Sequence, residues 1–190
     1  SMGYNLNNRE VQLWFEAQLD KYQRSQPPQK VQQPPWDSQS LQEAYARCHA
    51  AHKAWARQDV EARAAVLERW AESLQTHRGE ILATLVQEAG KTWQDALAEW
   101  REAQDFLFHY ASEGRRLLGH PLALPGPAGE LNQLQHRPRG VCVCISPWNF
   151  PLAILMGQVS ACLMGGNGVL VKAAPQTRRI TELARGLAVD

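Results

Sequence analysis

The sequence lacks the features that mark several large classes of protein. No apolar run approaches the roughly 18 residues that a membrane-spanning helix requires, and the first residues do not show the charged-then-apolar pattern of a secretory signal. The net charge is +1 and charged residues make up 21% of the chain, which indicates neither disorder nor a nucleic-acid-binding surface. We therefore expect a soluble, cytoplasmic globular protein without a nucleic-acid partner.

Cysteine and histidine are too few and too scattered to predict a metal centre. The four cysteines show no CxxC spacing, and the six histidines share no ligand pattern. Cys142 and Cys144 alternate with apolar residues in one short run, which favours thiols packed in a core over catalytic thiols. We expect no bound metal and no disulfide framework.

Helices dominate the first part of the chain. Residues 9–24 carry apolar side chains at helical spacing and precede a Pro- and Gln-rich stretch, so we predict an N-terminal arm and linker over residues 1–39. Residues 40–118 predict about four successive helices, the first with an inward stripe that includes Leu41 and Tyr45. Their start and stop signals are a capping box at Ser40 and Glu43, Asp59 before the second helix, Gly90 after the third, and Thr92 with Asp95 before the fourth.

The sequence changes character after these helices. Residues 119–139 are dense in Gly and Pro, with short apolar patches that could pair as edge strands or as a hairpin. Residues 141–145 are apolar on both faces, as in a buried parallel strand, and are followed by an apolar helix over 152–164 and a second strand over 169–171. Residues 140–190 therefore predict a βαβ unit, and the fold class is α/β with an N-terminal helical segment.

This βαβ unit has no glycine-rich dinucleotide fingerprint. The cluster Gly165-Gly166-Asn167-Gly168 is not GxGxxG, and it joins helix to strand, which is the wrong end for binding phosphate. Two parallel strands do not make a stable sheet by themselves. We therefore expect the chain to be the N-terminal part of a longer protein, with a helix that opens at Pro175 and continues to residue 190.

The turn after the first strand of this unit contains a polar side chain between two prolines. Ligands of open α/β sheets collect beyond the carboxyl ends of the strands, where residues 146–151 lie. Pro147 and Pro151 restrict the backbone, so Asn149 is presented from a stiff platform and its amide could donate to an oxyanion. The alternative is a rigid turn whose Trp148 and Phe150 pack into a core.

Lys172 directly follows the second strand, at the same edge of the sheet. A positive donor at this position would suit a hydroxyl-rich or phosphate-bearing cofactor. The alternative is a strand-end lysine that extends into solvent.

Two motifs resemble the aldehyde dehydrogenase superfamily. They are Ile145-Ser146-Pro147-Trp148-Asn149-Phe150-Pro151 and Lys172-Ala173-Ala174-Pro175-Gln176-Thr177. More narrowly, residues 88–92, 98–106 and 157–158 resemble the pyrroline-5-carboxylate dehydrogenase domain of the bifunctional proline utilization A proteins. The resemblance covers about residues 40–190 and implies the aldehyde dehydrogenase fold, in which the βαβ unit begins a Rossmann-like NAD-binding domain.

The resemblance also implies roles for individual residues. Asn149 would be the side-chain half of the oxyanion hole. The residues that would bind NAD are Ile145, Ser146, Pro147, Trp148 and Lys172. The implied reaction is the NAD-dependent oxidation of glutamate 5-semialdehyde to glutamate in proline catabolism, carried out by an intact protein that forms a homo-oligomer.

The sequence departs from the family pattern at two points. Pro175 stands where the family usually has a glutamate that contacts the ribose hydroxyls. The nucleophilic cysteine and general-base glutamate of the family lie beyond residue 190, and Cys162 is not in the context of the catalytic cysteine. We therefore expect these 190 residues alone to be inactive. Glu102 is a further candidate near the aldehyde channel, with a solvated helix charge as the alternative.

Two other functions remain open. The chain could be a non-catalytic module that kept a nucleotide pocket or an oligomerising surface. It could also be a helical interaction module built on residues 9–118, in which case replacing Asn149 or Lys172 would affect nothing.

Overall fold

The computed structural model describes residues 5–25 and 36–188, and its helices and strands follow the predicted order. The predicted linker lies largely outside the described residues. None of the described helices is long and apolar enough to cross a membrane. The elements are α1 (Arg9–Ser25), α2 (Ser38–Trp55), α3 (Val60–Thr76), α4 (Arg78–Ala89), α5 (Trp93–Leu118), β1 (Leu122–Leu124), β2 (Asn132–Leu134), β3 (Val141–Ile145), α6 (Ala153–Met164), β4 (Gly168–Lys172), a 3-10 turn (Pro175–Thr177) and α7 (Arg178–Gly186).

The main core lies where α3, α4 and α5 pack together and against α6. Leu67, Leu82 and Leu107 come from three different helices, and each is fully buried. Burying one such side chain contributes about 1.5–3 kcal/mol, so this helical layer supplies much of the stability. Helix α1 belongs to the same core, because Phe15 is buried and its ring centroid lies 4.8 Å from that of Trp93.

Local signals set most of the helix ends. Thr92 caps α5 as predicted, accepting a hydrogen bond from the Asp95 amide at 3.1 Å. Gly90 ends α4 with φ of 66°, a left-handed conformation that costs glycine little. The predicted capping box at Ser40 is wrong: Asp37 caps α2 by accepting from the Ser40 amide at 2.7 Å, so the helix begins at Ser38.

The predicted inward stripe of α2 is also partly wrong. Leu41 and Tyr45 are exposed, while Ala44 is buried. Helix α2 packs mainly against β3 and β4, and this contact surface decides which face turns inward.

The predicted βαβ unit is confirmed. Strands β3 and β4 pair in parallel, and α6 connects them. The prediction that β3 is buried on both faces is wrong: Cys144 is 3% exposed, whereas Val143 is 63% exposed. The described residues place α2 and α6 against this strand pair and leave one side of β3 open.

Two short segments complete the fold. Strands β1 and β2 form an antiparallel hairpin, one of the two arrangements that the Gly- and Pro-rich segment allowed. The helix predicted from Pro175 to residue 190 begins as a 3-10 turn. Its α-helical part ends at Gly186, where the backbone N–H of Leu187 donates to the carbonyls of Leu183 and Arg185.

Candidate functional site

The carboxyl ends of β3 and β4 lie side by side and bring two predicted cofactor residues together. In the parallel register, Ile145 is the partner of Lys172. Neighbouring strands run about 4.8 Å apart, and both side chains are exposed. An apolar surface and a cation therefore lie next to each other at the edge of the sheet where the turn after β3 begins.

The turn over residues 146–152 presents the side chains of residues 148–150 to solvent. Trp148 is 57% exposed and Phe150 is 42% exposed, so the alternative in which both rings pack into a core is wrong. Asn149 between them is also exposed, and its side chain accepts or donates no hydrogen bond within the described part of the chain. A carboxamide placed in this way keeps both N–H donors available to a ligand.

Ser146 behaves differently from its neighbours in the turn. Its residue is 3% exposed, and its Oγ has no hydrogen-bond partner among the described residues. A buried hydroxyl without a partner costs free energy. The protein retains that cost at the position where the resemblance places the cofactor.

The backbone of the turn is held at both ends by side chains from other elements. At its start, Gln158 Nε2 in α6 donates to the carbonyl oxygen of Ile145 at 3.2 Å. At its end, the amides of Leu152 and Ala153 donate to Glu99 Oε1 at 2.7 and 3.2 Å. Glu99 lies two turns into α5, so a residue 53 positions earlier in the chain caps the N-terminus of α6.

Glu99 is itself paired with a cation beneath the turn. Its Oε2 lies 2.9 Å from Lys91 Nζ, and the two side chains are 0% and 10% exposed. Lys91 Nζ also lies 4.3 Å from the centroid of the Phe150 ring, within the range of a cation–π contact. The carboxylate is neutralised on one side by a lysine and on the other by the positive end of α6, which is what a buried charge requires.

The next helix is capped in a similar way. The amides of Arg179 and Ile180 at the start of α7 donate to Glu88 Oε1 and Oε2 at 2.8 and 2.9 Å. Burial raises the pKa of Glu88, although these two hydrogen bonds act in the opposite direction. Pro175, the departure from the family pattern, is exposed just before α7.

The opposite end of the βαβ unit is a closed structural turn. Asn167 Oδ1 accepts from the amides of Arg139 and Gly140 at 2.6 and 3.1 Å, and its Nδ2 donates to the carbonyl of Cys162 at 3.0 Å. Arg63 Nε donates to the carbonyl of Met164 at 3.1 Å. The side chains at this end are satisfied by the protein itself and leave little for a ligand.

The cysteines near β3 behave as packing residues. Cys144 Sγ lies 4.0 Å from Cys162 Sγ. Burial raises the pKa of Cys144, and burial with the neighbouring thiols raises the pKa of Cys162 to about 12. Thiols that stay protonated at neutral pH are poor nucleophiles. The described residues contain no group of three or more His, Cys, Asp or Glu side chains placed to hold a metal ion.

Two other features of the molecule are separate from the strand ends. Glu102 is exposed on α5, as expected for a solvated helix charge. A cavity of about 620 Å³ opens between α2 and α3 and is lined by residues from Ala51 to Arg69. It contains none of the predicted site residues.

Sequence reasoning predicted roles for residues of the turn after β3 but gave no role to the residues that hold this turn. Lys91, Glu99 and Gln158 all lie in segments that resemble the family, yet their spacing along the chain gives no sign that they meet around the same turn. Glu99 would have been detectable only as a carboxylate on the inward face of α5, beside Trp100 and Ala103. An unpaired charge is not expected in such a position.

Known proteins resemble this chain in both sequence and structure. It is 44% identical over 135 residues to the bifunctional protein PutA of Klebsiella aerogenes, an alignment that covers 71% of this chain and 9% of that protein. It is 43% identical over 129 residues to the 1-pyrroline-5-carboxylate dehydrogenase of Geobacillus thermodenitrificans, covering 67% of this chain and 24% of that protein. A crystal structure of proline utilization A from Bdellovibrio bacteriovorus, inactivated by N-propargylglycine, superposes with a TM-score of 0.86 at 28% identity and covers 96% of this chain and 22% of that one.

The chain thus spans less than a quarter of each of these relatives. The family match itself is much more complete, because residues 16–188 match the aldehyde dehydrogenase family. The turn after β3, the parallel strand pair and the helical layer beneath them all fall within that match. The chain therefore belongs to the aldehyde dehydrogenase family.

Proposed function

We propose that the protein containing this chain oxidises glutamate 5-semialdehyde to glutamate with NAD, in the catabolism of proline. The observation that carries the proposal is the position of Asn149, whose exposed carboxamide has no hydrogen-bond partner among residues 5–25 and 36–188 and lies on a turn fixed at both ends. A donor that is already in place when negative charge develops on the aldehyde oxygen stabilises the transition state without reorganisation. One donor of this kind is worth about 2.7–4 kcal/mol.

The choice of substrate is supported by the relatives. Two kinds of protein at 43–44% identity carry the names PutA and 1-pyrroline-5-carboxylate dehydrogenase. The similarity to the PutA structure extends over nearly the whole chain. We propose the same aldehyde substrate for this protein on that basis.

The residues at the strand ends fit NAD. Ile145, Pro147 and Trp148 offer an apolar surface to a planar ring, and Ser146 has a buried hydroxyl without a partner. Lys172 is an exposed cation that can donate to ribose hydroxyls. The cofactor, when bound, accepts a hydride from the substrate. The chain's own residues orient it and stabilise charge on the substrate oxygen.

The usual phosphate position of a βα unit is not open in this chain. The amides of Leu152 and Ala153 at the N-terminus of α6 already donate to Glu99. A pyrophosphate there would have to displace a buried carboxylate and would be repelled by it. We propose that the cofactor is held instead by the strand ends and Lys172.

Residues 1–190 alone are proposed to be inactive. The nucleophilic cysteine and general-base glutamate of the family have no matching motif in this sequence, and the thiol of Cys162 is held protonated. The homo-oligomer and the cytoplasmic location are further proposals. The exposed β1–β2 hairpin, with Leu122, Leu124 and Leu134 on its surface, favours an oligomerising role for that segment.

Two measurements test this function. The full-length protein is incubated with glutamate 5-semialdehyde and NAD, and NADH is followed by its absorbance; we expect turnover that requires both compounds. The 190-residue chain is tested in the same assay, and we expect no NADH. Absence of turnover by the full-length protein would contradict the proposed function.

Calorimetric titration of the 190-residue chain with NAD separates the remaining alternatives. Binding that is lost in Lys172→Ala would favour a nucleotide-binding module. Absence of binding in a folded chain would favour the helical interaction module, for which neither Asn149 nor Lys172 matters.

A further inference from the structure

The Lys91–Glu99 ion pair lies directly beneath the turn that carries Asn149. Three of its contacts reach that turn: Glu99 Oε1 accepts from the amides of Leu152 and Ala153, and Lys91 Nζ faces the ring of Phe150. Phe150 is the immediate neighbour of Asn149. The pair therefore holds both the residue after Asn149 and the point where the turn enters α6.

We propose that Glu99 and Lys91 are positioning residues for Asn149, which they keep aimed at the substrate oxygen without touching substrate themselves. This inference rests on the proposed function. Pro147 and Pro151 restrict the backbone dihedrals inside the turn, but restricted dihedrals alone do not set the direction of the turn relative to the helical layer. The ion pair supplies a contact that sets it, because both of its members belong to the helical layer.

The local sequence places the pair where it is needed. Gly90 ends α4 in a left-handed conformation and Thr92 starts α5, so Lys91 lies in a tight two-helix corner. Glu99 lies two turns into α5 on the buried side. Because both positions are defined by well-packed helices, the pair has little freedom to follow the turn if the turn moves.

The chain supplies a matched control for this role. Glu88 is also a carboxylate that accepts two backbone amides at the N-terminus of a helix, but that helix is α7. Replacing Glu88 removes a helix cap of the same chemistry without a direct contact to the turn over residues 146–152. A purely structural role for Glu99 predicts similar results for the two glutamates, and a positioning role predicts different ones.

The first readout is hydrogen exchange of individual amides in the full-length protein. In Glu99→Ala we expect the amides of Leu152 and Ala153 to exchange at least about 10-fold faster than in the wild type, because they lose their acceptor. In Glu88→Ala we expect faster exchange at Arg179 and Ile180 and no change at Leu152 and Ala153. Glu99→Gln keeps one acceptor oxygen, and we expect a smaller increase; it replaces Glu99→Ala if the latter fails to fold.

The second readout is steady-state kinetics at a temperature where the variants remain folded. We expect Glu99→Ala to lower kcat about 10- to 100-fold while KM for the aldehyde changes less than about 3-fold, because a displaced donor weakens the transition state more than the bound substrate. Lys91→Met should lower kcat in the same direction by less, and Glu99→Gln should recover part of the loss. Glu88→Ala should keep the wild-type kcat.

The two readouts separate failure of this inference from failure of the proposed function. Unchanged exchange at Leu152 and Ala153 in Glu99→Ala, or a kcat equal to that of Glu88→Ala, would overturn the positioning role. A wild-type protein that is inactive on aldehydes would overturn the proposed function, while the exchange rates would still decide whether Glu99 holds the turn.

Discussion

Asn149 and Asn167 lie at the two ends of the same βαβ unit and differ in both burial and hydrogen bonding. Asn167 is 8% exposed, and its side-chain amide makes three hydrogen bonds to backbone groups. Asn149 is exposed and makes none with the described residues. The protein uses the first asparagine to close a turn, and leaves the second available while it fixes the backbone on either side.

The comparison extends to the helices that start and end at these turns. At the end that carries Asn149, the N-termini of α6 and α7 are capped by carboxylates from the helical layer. At the other end, Arg63 and Trp55 donate to the last carbonyls of α6. The charges of Glu99 and Arg63, which have opposite signs, complement the α6 dipole, and both residues lie at least 53 positions earlier in the chain.

Replacing Asn167 gives the largest expected effect on stability. Asn167→Ala leaves the amides of Arg139 and Gly140 without their acceptor in a partly buried site, while the carbonyl of Cys162 keeps its hydrogen bond from the backbone amide of residue 167. We therefore expect a loss of about 2–4 kcal/mol in the free energy of unfolding. Urea denaturation followed by circular dichroism measures the loss. Asn149→Ala is the control, with an expected change below about 0.5 kcal/mol; equal losses for the two variants would remove the distinction between the turns.

Replacing Lys172 tests the proposed cofactor site at the carboxyl ends of β3 and β4 without changing Asn149. Lys172→Ala removes the exposed side chain that we propose as a donor to the ribose, and we expect the affinity for NAD to fall about 10-fold, equivalent to about 1.4 kcal/mol. Titration calorimetry with the full-length protein checks this value. The thermal midpoint should stay the same, because the side chain has no partner to lose among the described residues; an unchanged affinity would place the ribose elsewhere.

Glu88 gives the smallest effect, and its sign follows from the raised pKa. A carboxyl that binds its proton more tightly in the folded state favours folding at pH values below its ordinary pKa of 4.5, and this contribution is lost as the pH rises through the folded pKa. Glu88→Gln cannot ionise but keeps an acceptor for the α7 amides. The stability of the wild type relative to this variant should therefore fall as the pH rises above 4.5, as measured by urea titrations at several pH values; a rise over the same range would contradict the direction of the shift.

The sequence predicted the structural features that depend only on residues close together in the chain. Thr92 with Asp95 and Gly90 were predictable because a cap is decided within four residues. The strand at residues 141–145 was predictable from its apolar run. Its burial was not, because the covering of a strand depends on elements far away in the sequence.

The residues of the candidate site differ in the same way, according to whether their partners are near or far in the sequence. Asn149, Trp148 and Lys172 could be proposed as site residues because their motifs are contiguous and specific to a family. Glu99 and Asn167 could not, since their partners are 53 and 27 or 28 residues away and only the fold brings them together. The prediction that Ser40 caps α2 failed for a more local reason, because Asp37, three residues earlier, caps the helix instead.

The most direct test is the turnover of the full-length protein with Asn149→Ala. If the carboxamide stabilises negative charge on the aldehyde oxygen, kcat/KM for glutamate 5-semialdehyde should fall about 10²- to 10³-fold while the free energy of unfolding stays unchanged. A kcat/KM within about 3-fold of the wild type, in a protein that remains folded and binds NAD, would contradict the role of Asn149.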